Sequence, residues 1–358
     1  MATVPVTSAP PSAKSSDNQD VVLEVKGLKT HFFLQQGIVR AVEDVDFTVL
    51  RGQTVGIVGE SGCGKSVMAR SVMSIVPPPG RIVEGEILFH RSIERNGSIT
   101  KDVVDMAALD PKGPEARSIR GDEISMVFQE PMTSLSPVHT IGNQIMEAIL
   151  LHQDVDKAGA RRIALNMLER VGMPNPDLVI DRYPYQLSGG MRQRAMIAMA
   201  LSCQPSVLIA DEPTTALDVT TQAQILSLMK ELQDDLGMAI IFITHDLGVI
   251  AQMADFVVVM YLGEVVEMAD VETLFYDPKH PYTRALLRSI PLLGRKSAQD
   301  ITSRLMAIRG TVPDPYSIPK GCPFHPRCRN AIKGVCDQKD PPFLTLEGGH
   351  KVRCVLYE

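Results

Sequence analysis

The sequence lacks the long apolar runs that membrane-spanning helices require. A membrane helix needs about 18 or more apolar residues in succession, and the most apolar region, residues 238–266, is interrupted by His245, Asp246 and Asp255. The first 20 residues are polar and rich in proline and serine, without the hydrophobic segment of a signal peptide. We therefore predict a disordered tail over residues 1–20, a cytoplasmic chain and at most peripheral contact with a membrane.

An excess of basic charge is also absent. The 358 residues include 36 lysines and arginines against 42 aspartates and glutamates, a formal net charge of −6. Proteins that bind nucleic-acid backbones are commonly basic, so the charge argues against nucleic acid as a partner. Apolar residues at 44% and charged residues at 22% are ordinary for a globular protein. The length predicts one large domain with an appendage.

Short, almost wholly apolar segments alternate with helical patterns along most of the chain. Apolar strands separated by helices indicate a parallel sheet covered on both faces, so we predict an α/β fold. A mainly helical stretch over about residues 130–199 is predicted to be an insertion in this core. After residue 270, prolines interrupt any long element. The predicted strands lie at residues 21–25, 54–58, 207–210, 238–243 and 256–261.

A glycine-rich segment after the predicted strand at residues 54–58 carries the clearest chemistry. It leads into a helical pattern, which is the context of a phosphate-binding loop. Glycines let backbone N–H groups turn toward nucleotide phosphates at the positive end of a helix. Lys65 can reach the β- and γ-phosphates, and the Ser66 hydroxyl can ligate Mg²⁺. The residues predicted to bind ATP here are Gly59, Ser61, Gly62, Cys63, Gly64, Lys65 and Ser66.

Another predicted strand ends in two carboxylates, Asp211 and Glu212. The carboxyl end of a parallel strand is where α/β proteins bind ligands. Asp211 is predicted to hold Mg²⁺, and Glu212 to polarise the water that attacks the γ-phosphorus. A strand that ends in acidic residues is by itself weak evidence for an ATPase site. The phosphate-binding loop earlier in the chain supports this interpretation.

Further motifs, in order along the chain, resemble those of ABC-type ATPases. Gln129 lies in a segment that resembles the Q-loop of this family, and His245 stands where its switch histidine does. Phe32, or alternatively Phe33, lies where an aromatic ring stacks on adenine in this family. Two further segments match motifs of this family. The segment that resembles the signature motif is Leu187-Ser188-Gly189-Gly190-Met191-Arg192-Gln193-Arg194, and the one that resembles the D-loop is Ala216-Leu217-Asp218.

The resemblance covers residues 21–358 and implies a fold. This fold is a P-loop NTPase with a RecA-like parallel-sheet core, an antiparallel β subdomain and a helical ABC subdomain. The ATPase domain is expected over residues 21–270, with the helical subdomain over about residues 130–199. Residues 271–358 are expected to form a Pro/Cys-rich C-terminal extension.

The resemblance also implies roles for single residues. Two ATPase domains of this family close face to face over two nucleotides. Ser188, Gly189 and Gly190 are therefore expected to contact the γ-phosphate held by the partner. Gln129 is expected to ligate Mg²⁺ and sense the attacking water, and His245 to hydrogen-bond the γ-phosphate. Contacts across the dimer are expected from Asp218.

Several segments more narrowly resemble the ATPase subunits of oligopeptide and dipeptide importers. The resemblance implies ATP-driven peptide import at the cytoplasmic face of the bacterial inner membrane. Two permease subunits, a second homologous ATPase in a heterodimer and an extracytoplasmic binding protein are the implied partners. The segments are Gln129-Glu130-Pro131-Met132-Thr133-Ser134-Leu135-Ser136-Pro137, Tyr183-Pro184-Tyr185-Gln186, His280-Pro281-Tyr282-Thr283-Arg284 and Gly321-Cys322-Pro323-Phe324.

Alternatives to peptide import stay open. The same kind of importer handles oligosaccharides, glutathione, opines or nickel chelates. A soluble ABC ATPase acting on nucleic acid or ribosomes fits less well, because the acidic charge and the lack of long insertions argue against it. Two features depart from the importer pattern: Cys63 replaces the usual serine, and residues 91–104 are longer than usual. We expect Cys63 to make the nucleotide site sensitive to thiol reagents.

Four of the six cysteines lie in the proline-rich tail, at Cys322, Cys328, Cys336 and Cys354. Structural disulfides are disfavoured in a cytoplasmic protein, whereas four thiolates can hold a [4Fe–4S] cluster or a tetrahedral Zn²⁺. The close cysteine pairs typical of zinc sites are missing, and the resemblance to peptide-importer ATPases favours the cluster. Zinc and four unlinked thiols remain alternatives. Cys203 is predicted to be a small buried residue.

Overall fold

The structure is a computed structural model that describes most of the chain. The side chains of residues 92–99 are not described. The described ranges are residues 20–95, 98–130, 134–215, 217–289 and 308–358. Residues 1–19 of the predicted tail, residues 131–133 of the importer-like segment and Ala216 of the D-loop-like motif lie outside these ranges.

The described residues form two sheets and ten α-helices, joined by loops and turns. The strands are β1 (Val21–Leu34), β2 (Gly37–Leu50), β3 (Thr54–Val58), β4 (Gly80–Arg95), β5 (Ser98–Asp105), β6 (Ile124–Val127), β7 (Val207–Asp211), β8 (Ala239–Ile243), β9 (Phe256–Tyr261), β10 (Glu264–Asp270), β11 (Phe343–Thr345) and β12 (Lys351–Arg353). The α-helices are α1 (Lys65–Val72), α2 (Pro114–Ile119), α3 (Ile141–His152), α4 (Lys157–Arg170), α5 (Pro176–Val179), α6 (Gly189–Leu201), α7 (Val219–Leu236), α8 (Leu247–Met253), α9 (Val271–Tyr276) and α10 (Pro281–Arg288). Single 3₁₀ turns lie at Pro184–Gln186, His325–Arg327, Glu347–Gly349 and Val355–Tyr357.

The larger sheet has eight strands in the order β11-β12-β10-β9-β3-β8-β7-β6. The strands from β9 to β6 are parallel to one another, and every residue of β3, β7 and β8 is buried. Strands covered on both faces are apolar throughout instead of alternating. The predicted parallel sheet is thereby confirmed, and β3, β7, β8 and β9 lie within one residue of the predicted bounds, whereas β6 was not predicted.

The smaller sheet is antiparallel, with strands in the order β2-β1-β4-β5. The strand predicted at residues 21–25 is the start of the longer β1. Phe32 lies near the end of β1, paired with Val39 of β2 and with Gly80 of β4. The described part of the long segment at residues 91–104 belongs to the β4–β5 hairpin.

The chain between β6 and β7 is mainly helical. Ile141, Ile145 and Ile149 are buried along one face of α3, as expected for an amphipathic helix with apolar residues at every fourth position. The Thr140 hydroxyl caps the start of α3 by accepting a backbone hydrogen bond of 3.2 Å.

Helix α7 follows the D-loop-like motif and spans Val219–Leu236. It begins after Asp218, a side-chain oxygen of which accepts a hydrogen bond of 2.9 Å from the Thr221 N–H. It ends at Gly237, whose φ of 64° is the left-handed conformation typical of a residue that follows a helix. No helix in the described part of the chain is long and apolar enough to cross a bilayer.

The chain beyond α10 returns to the larger sheet, where β12 pairs with β10 and β11 pairs with β12. Glu267 of β10 is fully buried. It accepts hydrogen bonds from the backbone N–H groups of Lys279 at 2.5 Å and His280 at 2.9 Å, and its Oε1 lies 2.7 Å from His350 Nε2. Buried polar groups require such partners, so Glu267 ties the segment after α9 to the sheet.

An aromatic cluster of Tyr261, Tyr282 and Phe324 joins the C-terminal segment to β9. The Phe324 ring centroid lies 5.3 Å from each tyrosine ring, and Phe324 is only 2% exposed. Edge-to-face and tilted ring pairs at this distance are favourable beyond the area they bury. The C-terminal segment therefore shares the hydrophobic core of the larger sheet.

Replacing Phe324 by alanine is expected to lower the free energy of unfolding by about 3–5 kcal/mol, the usual cost of deleting a buried phenyl ring. Unfolding in guanidinium chloride, followed by circular dichroism, measures the change. Tyr276→Ala is the matched control, because Tyr276 is 85% exposed and surface changes usually cost less than about 0.5 kcal/mol. Equal losses in the two variants would contradict the packing of the segment on β9.

Candidate functional site

The glycine-rich segment forms a loop between β3 and α1, as predicted. Lys65 folds back across this loop, where its Nζ donates to the Gly59 carbonyl at 2.8 Å and the Glu60 carbonyl at 3.1 Å. Glycine is required at Gly64, because its φ is 103° and a Cβ there would lie 2.1 Å from the Ala41 carbonyl oxygen. The loop thus directs the first N–H groups of α1 toward the adjoining cleft.

Ser66 and Asp211 meet at the edge of the larger sheet. The Ser66 hydroxyl donates a 3.0 Å hydrogen bond to Asp211 Oδ1. Burial raises the pKa of Asp211, although the Ser66 hydrogen bond acts in the opposite direction. A hydroxyl and a carboxylate in contact are oxygen ligands of the kind that Mg²⁺ takes together with phosphate and water. The two residues therefore fit the predicted cation site.

Glu212, the next residue, is the centre of a hydrogen-bonded group. Its Oε2 accepts hydrogen bonds from Gln129 Nε2 at 2.9 Å and from the Thr215 hydroxyl at 3.0 Å, and its Oε1 lies 3.2 Å from His245 Nδ1. Burial acts to raise the pKa of Glu212, but the hydrogen bonds with His245 and Thr215 bring it below the ordinary value. Glu212 is therefore ionised near neutral pH, which a proton acceptor requires.

The backbone of Glu212 has an unusual conformation. Its φ is 47°, in the left-handed region that residues other than glycine rarely occupy. Such strain persists where the surroundings hold it, and it is frequent at functional sites. Sequence reasoning identified Gln129, Glu212 and His245 but missed Thr215, because one threonine after an acidic pair carries no distinctive signal.

A cleft of about 370 Å³ lies beside the loop. Phe32 lies on its wall, whereas Phe33 is not among the lining residues and packs against the Arg81 guanidinium at 4.3 Å. Of the two aromatic candidates, Phe32 is thus the one at the cleft. Sequence reasoning also missed Pro315 and Ile318, which bring the C-terminal segment to the same cleft. Lining residues from the predicted site are Phe32, Ser61, Gly62, Gly64, Lys65, Ser66, Gln129 and Glu212.

The signature-like and D-loop-like residues are not among those that line this cleft. The Ser188 hydroxyl caps α6 by accepting a 3.3 Å hydrogen bond from the Met191 N–H, and Asp218 caps α7. The two helix starts lie close together, because a Cβ on Gly190 would come within 2.8 Å of the Thr221 side chain. The structure therefore groups these predicted residues with each other and apart from the cleft beside the phosphate-binding loop.

Cys63 lies inside the phosphate-binding loop, only 3% exposed. Burial raises the pKa of its thiol, although Lys65, whose Nζ lies 3.7 Å from the sulfur, acts against the rise. The thiolate is the reactive form, so this environment argues against the expected sensitivity to thiol reagents. Cys203 is also buried, as predicted.

The four tail cysteines line one small cavity together with His280 and His325. Their thiols are free, and burial raises the pKa of Cys322 to about 12. Burial also raises the pKa of Cys328 and Cys354. Within the described ranges, no three cysteine, histidine or acidic side chains are placed to hold a metal ion. Four cysteine thiols are the ligands that a [4Fe–4S] cluster requires, but these side chains are not placed to hold a metal ion in this arrangement.

Two segments of the chain match known families. Residues 42–215 match the family described as "ABC transporter". Residues 266–336 match the family described as "Oligopeptide/dipeptide transporter, C-terminal region".

Curated proteins match over nearly the whole chain. The oligopeptide transport ATP-binding protein AppD of Bacillus subtilis is 48% identical over 337 residues, which is 94% of this chain and 97% of that protein. The dipeptide transport ATP-binding protein DppD of Bacillus subtilis is 47% identical over 338 residues, covering 94% and 95%.

Solved structures share the fold. The ATP-binding cassette MJ0796, in a dimeric post-hydrolysis state bound to ADP and Pi, gives a TM-score of 0.59 at 27% identity, covering 70% of this chain and 98% of its own. The structure of cbiO1 from Clostridium perfringens, part of the ABC transporter complex cbiONQ, gives a TM-score of 0.57 at 26% identity, covering 72% and 92%. The predicted ABC-type P-loop NTPase fold is thereby confirmed.

Cys63 is expected to resist N-ethylmaleimide in the folded protein, because burial both shields the thiol and raises its pKa. Brief labelling at about pH 8, near the ordinary pKa of cysteine, followed by peptide mass spectrometry measures the modified fraction. Labelling in guanidinium chloride is the control, in which Cys63 should react fully. Equal rates with and without denaturant would contradict this prediction.

Proposed function

This chain belongs to the ATP-binding subunits of peptide ABC importers and is an ABC transporter ATPase. We propose that it works as one half of a paired ATPase, in which ATP hydrolysis drives peptide import. Its relatives AppD and DppD carry the names of oligopeptide and dipeptide transport. These names favour peptides over oligosaccharides, glutathione, opines or nickel chelates as the solute. The same names argue against the alternative that this chain is a soluble ABC ATPase acting on nucleic acid or ribosomes.

The observation that carries the proposal is the arrangement around Glu212. This ionised carboxylate is held by Gln129, Thr215 and His245, next to the Ser66–Asp211 pair. Glu212 accepts the proton of the water that attacks the γ-phosphorus, and a partner on each oxygen fixes its orientation. General-base catalysis of this kind contributes about 10²–10⁴-fold to a rate.

Lys65 and Ser66 act on the nucleotide itself. Lys65 Nζ donates to the two loop carbonyls, and phosphate oxygens replace these acceptors when ATP binds. Ser66 and Asp211 would hold Mg²⁺, with Gln129 as a further oxygen ligand, and a bound ion would neutralise phosphate charge. His245, already in contact with Glu212, reaches the γ-phosphate on the same side of the cleft. Phe32 stacks on the adenine base.

A second ATPase subunit completes the site. Ser188, Gly189 and Gly190 begin α6 close to Asp218 and outside their own cleft, so they are free to face the cleft of a partner. In a closed pair they donate hydrogen bonds to the γ-phosphate held by the other subunit. Because these donors are supplied only on closure, hydrolysis depends on the movement that drives transport. The dimeric cassette MJ0796 supports this arrangement.

The remaining assembly follows from family membership. The partner ATPase is a similar but distinct subunit, and two permeases dock at the cytoplasmic face of the bacterial inner membrane. An extracytoplasmic binding protein delivers the peptide. The ATPase domain takes residues 21–270, with its helical subdomain over about residues 130–199, and residues 271–358 form the Pro/Cys-rich extension.

The tail cysteines are proposed to be the ligands of a [4Fe–4S] cluster, with zinc as the alternative. Their support is a shared cavity and the preference of iron–sulfur clusters for four thiolates. Loading requires the four thiols to lose their protons and to move closer together. A bound cluster would cross-link four points of the extension and so stabilise it.

Glu212→Gln is expected to lower kcat for ATP by about 10²–10⁴-fold, because the amide cannot accept the proton. ATP binding should persist, since Lys65 and Ser66 are unchanged. The assay measures phosphate release and uptake of a radiolabelled dipeptide by the complete transporter in membrane vesicles. Uptake should fall with phosphate release.

The exposed Glu231 supplies a matched control in this assay, since Glu231→Gln makes the same change away from the cleft. Normal turnover by the Glu212 variant would overturn its role as the base. Normal ATP hydrolysis by the unaltered transporter without uptake of any dipeptide or oligopeptide would overturn peptide as the solute.

Anaerobic purification is expected to yield about four irons and four sulfides per chain, the content of one [4Fe–4S] cluster. Cys328→Ser should lose iron, whereas Cys203→Ser, outside the cavity, should retain it. Elemental and sulfide analysis with a visible absorption spectrum measures the content. Stoichiometric zinc would replace the cluster, and the absence of any metal would leave four unlinked thiols.

A further inference from the structure

Glu60, the second residue of the phosphate-binding loop, is paired with an arginine from the C-terminal segment. Arg327 Nη1 lies 2.6 Å from Glu60 Oε2, and Nη2 lies 3.0 Å from Oε1. This is the two-pronged geometry in which a guanidinium binds a carboxylate most strongly. The Arg327 side chain is only 4% exposed and the Glu60 side chain 24%, so solvent screens the pair weakly.

Arg327 is itself held in place by its surroundings. Its Nε donates to the Arg309 carbonyl at 3.0 Å, and its Nη1 lies 3.3 Å from the Tyr261 hydroxyl. The pKa of Arg327 is raised above its ordinary value, and the hydrogen bonds with Glu60 are the main cause. The guanidinium is therefore a fixed positive charge beside the loop.

A second contact binds the same loop residue through its backbone. The Tyr282 hydroxyl accepts a 2.8 Å hydrogen bond from the Glu60 N–H, and Tyr282 is fully buried. Tyr282 is positioned by His280, whose Nδ1 accepts a hydrogen bond from the Tyr282 N–H at 3.1 Å. Burial lowers the pKa of His280 to about 3, so its ring is neutral and able to accept. The importer-like segment that contains His280 and Tyr282 thus has a structural role at the loop.

The charge of Glu60 matters because the loop binds a polyanion. Lys65 donates to the carbonyl of Glu60 itself, so the phosphate-binding amine and the acidic residue belong to one small turn. A carboxylate without a partner would repel the phosphates of ATP, and this repulsion is strong where solvent is partly excluded. Arg327 removes that repulsion by neutralising Glu60.

We propose that Arg327 is a positioning residue for ATP: it neutralises Glu60 and, with Tyr282, holds the start of the phosphate-binding loop. The proposal rests on ATP binding by this loop, which is the proposed function. ATP affinity then depends on the C-terminal segment, although no residue of the pair needs to touch the reacting atoms. Arg327 lies between Cys322 and Cys328, so the segment that lines the cysteine cavity also controls the charge at the loop.

Arg327→Gln is expected to raise the KM for ATP about tenfold, equivalent to about 1.4 kcal/mol, while kcat at saturating ATP changes less than about twofold. The dissociation constant of a fluorescent ATP analogue should rise by a similar factor. Adding Glu60→Gln in the same chain should recover most of the lost affinity, because the unpaired charge is then gone. Arg327→Lys, which keeps the positive charge but not the two-pronged contact, should bind ATP more tightly than Arg327→Gln and less tightly than the unaltered protein.

Arg288→Gln is the matched control, because it removes one exposed arginine from the same C-terminal region and should leave KM unchanged. The measurements use the complete transporter. A purely structural role for Arg327 predicts instead that the double variant binds ATP as weakly as Arg327→Gln, and that result would overturn the proposal. An unchanged KM in Arg327→Gln would overturn it as well.

The experiment also separates this proposal from the proposed function. If the unaltered transporter neither binds nor hydrolyses ATP, the proposed function fails. If it does both and the variants show no recovery by Glu60→Gln, only the role of Arg327 fails. Should Arg327→Gln not fold, a folded double variant that binds ATP nearly as tightly as the unaltered protein supports the proposal, and one that binds weakly overturns it.

Discussion

The alignment of parallel strand ends at one edge of a buried sheet is the constraint on which the site depends. β3, β8 and β7 are neighbours, with Ile57 opposite Ile243 and Asp211 also opposite Ile243. The residues that follow these strands therefore meet at the same edge. This brings Glu212 to the cleft beside the loop, with Asp211 hydrogen-bonded to Ser66 and His245 in contact with Glu212. The strands that carry these residues are fully buried, so the backbone at this edge is held by the hydrogen bonds of the sheet.

The parts that sequence alone predicted are those specified by local pattern. Almost wholly apolar segments predicted β3, β7, β8 and β9 but missed β6, the short edge strand that contains Ser125. Glycines at fixed spacing before Lys65 predicted the loop. The pair of Arg327 and Glu60 could not be predicted, because its members are 267 positions apart and neither stands out in a proline-rich tail or a glycine-rich loop. Pro315 and Ile318 at the cleft are missed for the same reason, since their role exists only in the folded chain.

For the cysteines, the sequence predicted the chemistry of the side chains but not their distances or their burial. Four thiols in one tail predicted ligand chemistry, and the fold does bring them to one cavity. Spacing along the chain, however, says nothing of the distance between sulfur atoms or of burial. Burial also explains why Cys63, whose position in the loop suggested reactivity, lies in an environment that keeps its thiol protonated.

The pairing of β12 with β10 has a consequence for how the protein is made. β10 would otherwise be exposed along one side, and an unpaired strand edge is a template for aggregation. On the ribosome, β10 emerges many residues before Lys351–Arg353, and the Glu267 carboxylate on it lacks His350 until that part of the chain is also complete. Domains generally fold as they emerge from the ribosome, but β10 cannot pair with β12 until Lys351–Arg353 has been synthesised. Chaperone protection of nascent chains is therefore most valuable between the synthesis of β10 and that of β12.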